Sequence, residues 1–478
     1  MKQYKVLDLF AGGGGFSTGF LSANYLDRGF EIKMAVELND DACQTLTNHL
    51  GTDKVIKGDI TDKKVKEEII SQCKEVDIII GGPPCQTFSL VGPARSGKKE
   101  VQESLKNDPR NTLYQHFLDI VSRIKPRFVV FENVEGLLSK KVEDRLSDKE
   151  KLAIEVICEH LGSIGYYTEI EERENKYNIL NGLEYGVPQK RKRVIIIANR
   201  HNIPNPAPEK THGTNLQQYV TLESTIGNLP VLLPEINVIN IEGLKKIDII
   251  LKHLDKCLLA FLNNVNELSI NYKSRPEINN IHFRKLKSFV DDSYYEIKKR
   301  KYKKMELLKK FCNGYNEILG NLNDSDDIPC NMTMHKSRKH NFRDIVIFSM
   351  MKQGSNSSRF INPSSSEFNS LLNDLYPYDK NKHVDTYVKH AWNKPSNTIL
   401  AHLQKDGLKF IHPNQPRSFT PYEAALIQSF PKSYEFSGGA NAQYRQVGNA
   451  VPPLMAKSVG LAILKALVSY DNSSIEIH

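Results

Sequence analysis

YKVLDLFAGGGGFSTGF (residues 4–20) decides the fold. An apolar strand-like run, 4–9, meets four contiguous glycines and continues as a helix-like segment. Glycines permit a tight turn and close backbone approach to a ligand, and the helix N-terminus offers free N–H groups. The contiguous glycines depart from the spaced GxGxxG dinucleotide fingerprint, and alone the string also fits a plain structural turn. Outward from it the rhythm repeats. Candidate strands lie at 31–37, 76–80, 127–132 and 193–198, with helix-length segments such as 40–49 and 111–124 between them. VDIII and RVIII are near-continuous β-branched runs, which suit strands buried on both faces of a parallel sheet. The pattern predicts an α/β, doubly wound, mostly parallel sheet.

With 478 residues the chain is long enough for two or three domains, and 40% hydrophobic residues supply a core. The net charge of +9 suits a polyanionic partner, although many proteins that never touch nucleic acid are as basic. Seven cysteines, at 43, 73, 85, 158, 257, 312 and 330, form no CxxC pair. An odd, scattered set argues against a disulfide framework and a zinc site, so no metal is expected. The N-terminus runs straight into the first strand, without the pattern of a signal peptide. No apolar run approaches the roughly 20 residues of a membrane span. A reducing, cytoplasmic setting without a membrane partner is the expectation.

At HNIPNPAPEKTHG (201–213) three prolines fall within five residues, which reads as a linker. Beyond it the chain turns rich in Asn, Lys and Ile. KKRKYKK (298–304) and HKSRKHNFR (335–343) are basic clusters there. The helix-turn pattern tightens again after about 390.

Four strings carry candidate chemistry. The glycine turn is one, with Glu37 ending the next strand, where an acid commonly holds a ribose hydroxyl. GGPPCQTFS (81–89) follows a strand end, where open α/β sheets bind ligands. It places Cys85 in a loop whose N–H groups and cations can favour a thiolate. The Gly-, Ser- and Lys-rich segment 87–107 reads as a loop able to close over a substrate. FENVEGLL (131–138) brings Glu132 to another strand end, where a buried carboxyl can donate a hydrogen bond. It also fits an N-cap or a surface acid. QKRKRVIIIA (189–198) sets Arg191 and Arg193 on one face of a strand start, able to grip a carbonyl or phosphate.

In this order, together with KPSNTILAHL (394–403), RSFTPYEAALIQSFP (417–431) and YRQVGNAVPPLMA (444–456), these strings resemble the bacterial cytosine-C5 DNA methyltransferases of restriction–modification systems. The resemblance covers about 1–200 and 390–460. It implies the S-adenosylmethionine-dependent methyltransferase fold, with a catalytic domain at 1–205 completed by 440–478. The intervening 206–439 would be a smaller target-recognition domain. It implies Cys85 as nucleophile, Glu132 at cytosine N3, and Arg193 at O2 with Arg191 nearby. For S-adenosylmethionine it implies Phe10, Ala11, Gly12, Gly14, Glu37, Asp59, Ile60, Pro83, Asn449 and Val451. DNA contacts are expected from Gln86 and Ser89, and from Lys298, Lys299, Arg300 and Lys301. The expected partner is double-stranded DNA, with the target base flipped out of the helix. A separately encoded companion endonuclease, a monomeric state and a nucleoid location complete the expectation.

Rival readings are a tRNA cytosine-C5 methyltransferase of the same fold, a non-catalytic DNA-binding relative and an NAD-dependent dehydrogenase. The long middle region and the lack of a Cys-Phe-Thr triplet disfavour the first. Retention of Cys85 and Glu132 disfavours the second. The glycine spacing and the PPC string disfavour the third. The base that takes the C5 proton and the recognised site are not legible.

Overall fold

Alternate residues of the central strands enter two different cores, which is why their sequences are apolar without interruption. Leu7, Ile79, Val129, Phe131, Val194 and Ile196 face one; Val6, Ile78, Ile80, Val130, Ile195 and Ile197 face the other. In this computed structural model the described residues are 2–84, 112–144, 149–170, 176–300, 302–323, 332–405 and 407–475. They form two compact units. One comprises Met1–Val220, Thr398–Ala401 and Gln428–His478; the other comprises Thr221–Asn397 and His402–Ile427.

The first unit is built on a seven-stranded sheet. Its strands are β1 (Lys2–Leu9), β2 (Arg28–Glu37), β3 (Val55–Lys57), β4 (Ile78–Gly81), β5 (Phe128–Asn133), β6 (Asn178–Asn181) and β7 (Lys192–Asn199). The order is β3-β2-β1-β4-β5-β7-β6. The first five are parallel, and β7 runs antiparallel to both β5 and β6. That reversal places the start of β7 beside the C-terminal end of β5. Helices α1 (Gly15–Leu21), α2 (Asp40–Leu50), α3 (Lys63–Gln72), α4 (Leu113–Ile124) and α5 (Ala153–Ser163) make the crossovers. Local chemistry fixes their starts: the side chains of Asn39 and Asp62 accept from Ala42 N and Lys64 N as N-caps of α2 and α3.

The C-terminal stretch completes this unit. Val451, Met455, Val459, Ile463 and Leu467 share the core of β1 residues Tyr4 and Val6. By length and apolarity 440–473 would pass for a membrane span, but two-thirds of its most apolar window is buried. The prolines of 201–213 do not form a free linker. Asn205 N donates to Glu169 O and Thr211 N to Glu184 O, so the segment is tied to the first unit. The chain leaves that unit at 220 rather than 205, re-enters it briefly at Thr398–Ala401, and returns for good at 428 rather than 440.

The second unit is largely helical among the described residues. Helices α6 (Leu254–Asn271), α7 (Ile281–Lys299), α8 (Lys304–Asn323) and α9 (Phe342–Met350) surround a core that includes Phe261, Leu286, Phe311, Tyr315 and Phe342. RSFTPYEAALI (417–427) and HKSRKHNFR contribute buried polar structure here. Thr420 and Glu423 cap helix α10 (Pro421–Ile427) reciprocally: Glu423 N donates to Thr420 Oγ1, and Thr420 N to the Glu423 carboxylate. Arg417 grips the same carboxylate with two bonds of 2.7 Å. His335 and His340 are buried, Lys339 pairs with Glu235, and Arg343 pairs with Asp344. His335, His340 and Arg343 of this basic run are therefore internal framework, while Lys336 and Lys339 stay exposed.

Candidate active site

Glu132 and Arg193 meet at the C-terminal edge of the sheet. Arg193 Nε stands 2.7 Å from Glu132 Oε1, and both side chains are nearly buried. The antiparallel register explains the meeting: Glu132 lies opposite Ile195, so Arg193 overhangs the end of β5. A second Arg193 nitrogen donates to Lys192 O at 2.7 Å, which fixes the guanidinium. A carboxylate and guanidinium in reach of the same ligand can hold a ring nitrogen and a ring carbonyl together. Asn133, the next residue, is buried. Its amide donates to Pro83 O at 3.3 Å and its oxygen accepts from Val134 N at 2.9 Å, which ties Pro83 to the end of β5. Cys85, Gln86 and Ser89 lie outside the described residues, as does Lys301.

Arg191 does not join this pair. The sequence expectation of one shared face fails because Arg191 sits at the break between a short strand, Gln189–Lys190, and β7, which starts at Lys192. Its guanidinium is fully buried and donates to Ile399 O, Gly448 O and Ala450 O at 2.8, 3.0 and 2.9 Å. Burial and the neighbouring Arg193 oppose its charge, and three carbonyl oxygens replace its water. It pins the end of α11 (Ala440–Asn449) and the turn beyond. That work is positional, and it corrects the catalytic assignment.

The other end of the edge carries the glycine turn. Phe10 and Gly12 both have positive φ, at 59° and 55°. For a bulky residue such as Phe10 this is strained backbone, which is found where function demands it. Gly12 N donates to Glu37 Oε2 at 2.9 Å, while Asn39 N donates to Oε1 at 2.9 Å. Gly12 is half-buried, and an added Cβ would meet only Phe10 O at 4.0 Å. The next glycines serve packing. A Cβ on Gly14 would sit 2.4 Å from Tyr434 Oη, and one on Gly15 would sit 2.2 Å from Val451 O. Gly14 is buried, so its expected approach to a ligand gives way to its contact with Tyr434. Asp59 is exposed with Oδ1 accepting from Thr61 N at 2.8 Å; Ile60, Ala11, Pro83 and Val451 are buried and Asn449 is exposed.

These residues fit a nucleoside-bearing cofactor. An open backbone turn, a carboxylate fixed by two N–H groups and an exposed acid in GDIT provide polar partners for hydroxyls and an amine. Three further residues went unread in the sequence. Leu38 follows Glu37 and is 61% exposed, an apolar surface at the strand end. Tyr434 donates to Gly13 O at 2.8 Å beneath a stacked His49 ring. Asp8 is buried under the turn, accepting from Ser17 Oγ at 2.5 Å, and burial pushes its pKa up to about 7. An aspartate inside an apolar strand was the available signal for it.

The sequence profile of the C-5 cytosine-specific DNA methylases matches residues 4–465. The chain belongs to this family. Among curated methylases it is 31% identical over 464 residues to the type II methyltransferase M.DdeI of Desulfomicrobium norvegicum, covering 95% of this chain and 87% of that one. It is 31% identical over 398 residues to M.Bpa9945I of Bacillus paralicheniformis, covering 82% and 71%. A solved DNA modification methyltransferase from an Escherichia coli prophage shares the fold at a TM-score of 0.55 and 19% identity, covering 97% and 99%. The protein is a DNA (cytosine-5-)-methyltransferase whose methyl donor is S-adenosylmethionine. The family match favours DNA over the tRNA alternative.

The DNA-contact candidates in the second unit lie at the end of α7. Lys298 sits 5.7 Å over the Tyr294 ring, and Arg300 pairs with Glu296 at 3.3 Å. Lys298 and Lys299 also complement the C-terminal end of the helix dipole.

Proposed function

We propose that this methylase modifies one cytosine within a short specific duplex site, as the protecting half of a restriction–modification system. The observation that carries the chemical part is the Glu132–Arg193 pair at the sheet edge, tied through Asn133 to the loop that leads to Cys85. Cytosine C5 is a poor nucleophile, so a covalent detour is required. The Cys85 thiolate adds to C6 of the flipped base. Glu132 and Arg193 hold N3, the exocyclic amine and O2, and these contacts strengthen as charge builds in the ring. S-adenosylmethionine, when bound, supplies an electrophilic methyl group to C5. Loss of the C5 proton to a base then expels Cys85 as thiolate. Phe10, Ala11, Gly12, Glu37, Asp59, Ile60, Pro83, Asn449 and Val451 would hold the donor, with Gly14 shaping the turn beneath them.

The second unit would read the DNA sequence, and Gln86, Ser89, Lys298, Lys299, Arg300 and Lys301 would meet phosphates. The type II names of the relatives support the protective role and a companion endonuclease encoded elsewhere. The enzyme would act as a monomer on DNA in the bacterial cytoplasm, in the nucleoid. Expression in a methylation-free host, followed by bisulfite sequencing, tests this reading. One short motif with protected cytosines is expected. Protection scattered without a motif would overturn it.

A further inference from the structure

We infer that Gly82 is a positioning residue for Glu132: its missing side chain is the space that the catalytic carboxylate occupies. The inference rests on the reading of Glu132 as the group at cytosine N3. In the parallel pair of β4 and β5, Gly81 lies opposite Phe131, so Gly82 and Glu132 are the next residues along each strand. A Cβ on Gly82 would stand 2.6 Å from Glu132 Oε2, too close for any carbon–oxygen contact to persist.

Nothing else among the described residues requires glycine there. Gly82 does not have positive φ, so its backbone suits any L residue. Among the described residues, its chain neighbours aside, only Glu132 comes within 3.7 Å of the added carbon. Gly81 is different: its Cβ would strike Leu9 O at 2.5 Å and the Phe117 ring at 2.9 Å, which are core contacts. One glycine serves packing; the other leaves room for a functional group. The cost of filling that room falls on the flexible end of Glu132. Oε2 must move away, which turns the carboxylate whose other oxygen, Oε1, makes the 2.7 Å contact with Arg193. Displacements on this scale at a reacting group can cost orders of magnitude in rate without disturbing the fold.

The test is a set of full-length variants assayed on methylatable duplex DNA. Gly82→Ala should lower kcat by about tenfold or more. Its Tm, its S-adenosylmethionine affinity by calorimetry and its KM for DNA should stay close to wild type. Gly81→Ala should instead lower Tm. In a Glu132→Gln background, and in a Glu132→Asp background where the shorter side chain vacates the space, Gly82→Ala should cost less than about twofold further, the non-additivity of residues acting as one unit. Full kcat in Gly82→Ala beside a crippled Glu132→Gln would overturn the inference, as would additive losses or a Tm loss matching that of Gly81→Ala. A fully active Glu132→Gln would instead remove the reading of Glu132 beneath it.

Discussion

Arg191 and Arg193 stand two residues apart and do different work. Arg193 holds Glu132, whereas Arg191 solvates the backbone at the end of α11. Arg193→Lys keeps the charge but loses the planar fork, so kcat should fall by about tenfold or more with little change in DNA affinity. An unchanged kcat would show that the fork is dispensable. Arg191→Lys cannot reach three carbonyls. It should lower stability by roughly 1–3 kcal/mol and weaken S-adenosylmethionine binding, since Asn449 sits between two of the carbonyls it holds. Thermal unfolding and calorimetry read both effects. Thiol chemistry separates in the same way. Burial pushes Cys43 and Cys73 up to about 11 and Cys158, Cys257 and Cys312 up to about 12, so all five are poor thiolates. Alkylation of the native enzyme near pH 7.5 should spare these five and mark Cys85. Rapid labelling of any of the five by peptide mass mapping would contradict their burial. The strand ends that bring Glu132 and Arg193 together were legible, while their expected roles came only from the family resemblance. The task of Arg191 was not, because its partners lie more than 200 residues away in sequence.

Element by element, the strands were the most legible part, since runs such as VDIII and RVIII carry the double-sided burial in their composition. The motif RSFTPYEAAL shows the opposite case. It resembles a family segment, and here it builds a helix cap and a buried ion pair. Burial alone would raise the Glu423 pKa, but the Arg417 guanidinium outweighs it and holds the carboxyl well below its usual range. Around this pair lie four histidines. Burial holds His335 and His412 below their ordinary value, His340 at about 3 and His390 at about 4. The sign follows directly. Below pH 6.5 the unfolded chain binds protons that the folded histidines refuse, so stability falls as pH drops through that value. Each histidine contributes a slope of up to about 1.4 kcal/mol per pH unit. Asp8 works in the opposite sense in the first unit, binding a proton between about 4 and 7 only when folded. Urea unfolding of the second unit's core, followed at pH 7.5 and 5.5, should show a clear loss at the lower pH. His390 lies against Phe410 and Phe419. His390→Phe should therefore weaken that pH dependence by close to one proton. Equal stability at both pH values would contradict the buried neutral histidines.

At the scale of the whole molecule, two compact units divide the chain, and their boundaries were the least legible feature. The proline run suggested an exit near 205, but backbone hydrogen bonds carry the first unit to 220. Composition cannot report pairing of that kind. The net charge of +9 was legible, but not which cations carry an acidic partner, as Arg300 does with Glu296, Lys339 with Glu235 and Arg343 with Asp344. Replacing Lys298, Lys299, Arg300 and Lys301 with Gln should weaken binding to all duplexes alike and leave the methylated motif unchanged. Each lost phosphate contact should remove about 0.9 from the log–log salt slope. Because Arg300 is already paired with Glu296, the total drop should lie between roughly one and three such contacts. An altered motif at constant slope would mean that the segment reads bases. The central claim, that this methylase works through a Cys85 adduct held by Glu132 and Arg193, meets its most direct test in a trap. A duplex bearing 5-fluorocytosine at the mapped target is incubated with enzyme and S-adenosylmethionine, then digested and analysed by mass spectrometry. The account predicts a peptide containing Cys85 that carries the methylated fluoropyrimidine, because fluorine cannot leave C5 as a proton does, and no adduct from Cys85→Ala. An adduct on another residue, or one that survives Cys85→Ala, would contradict it.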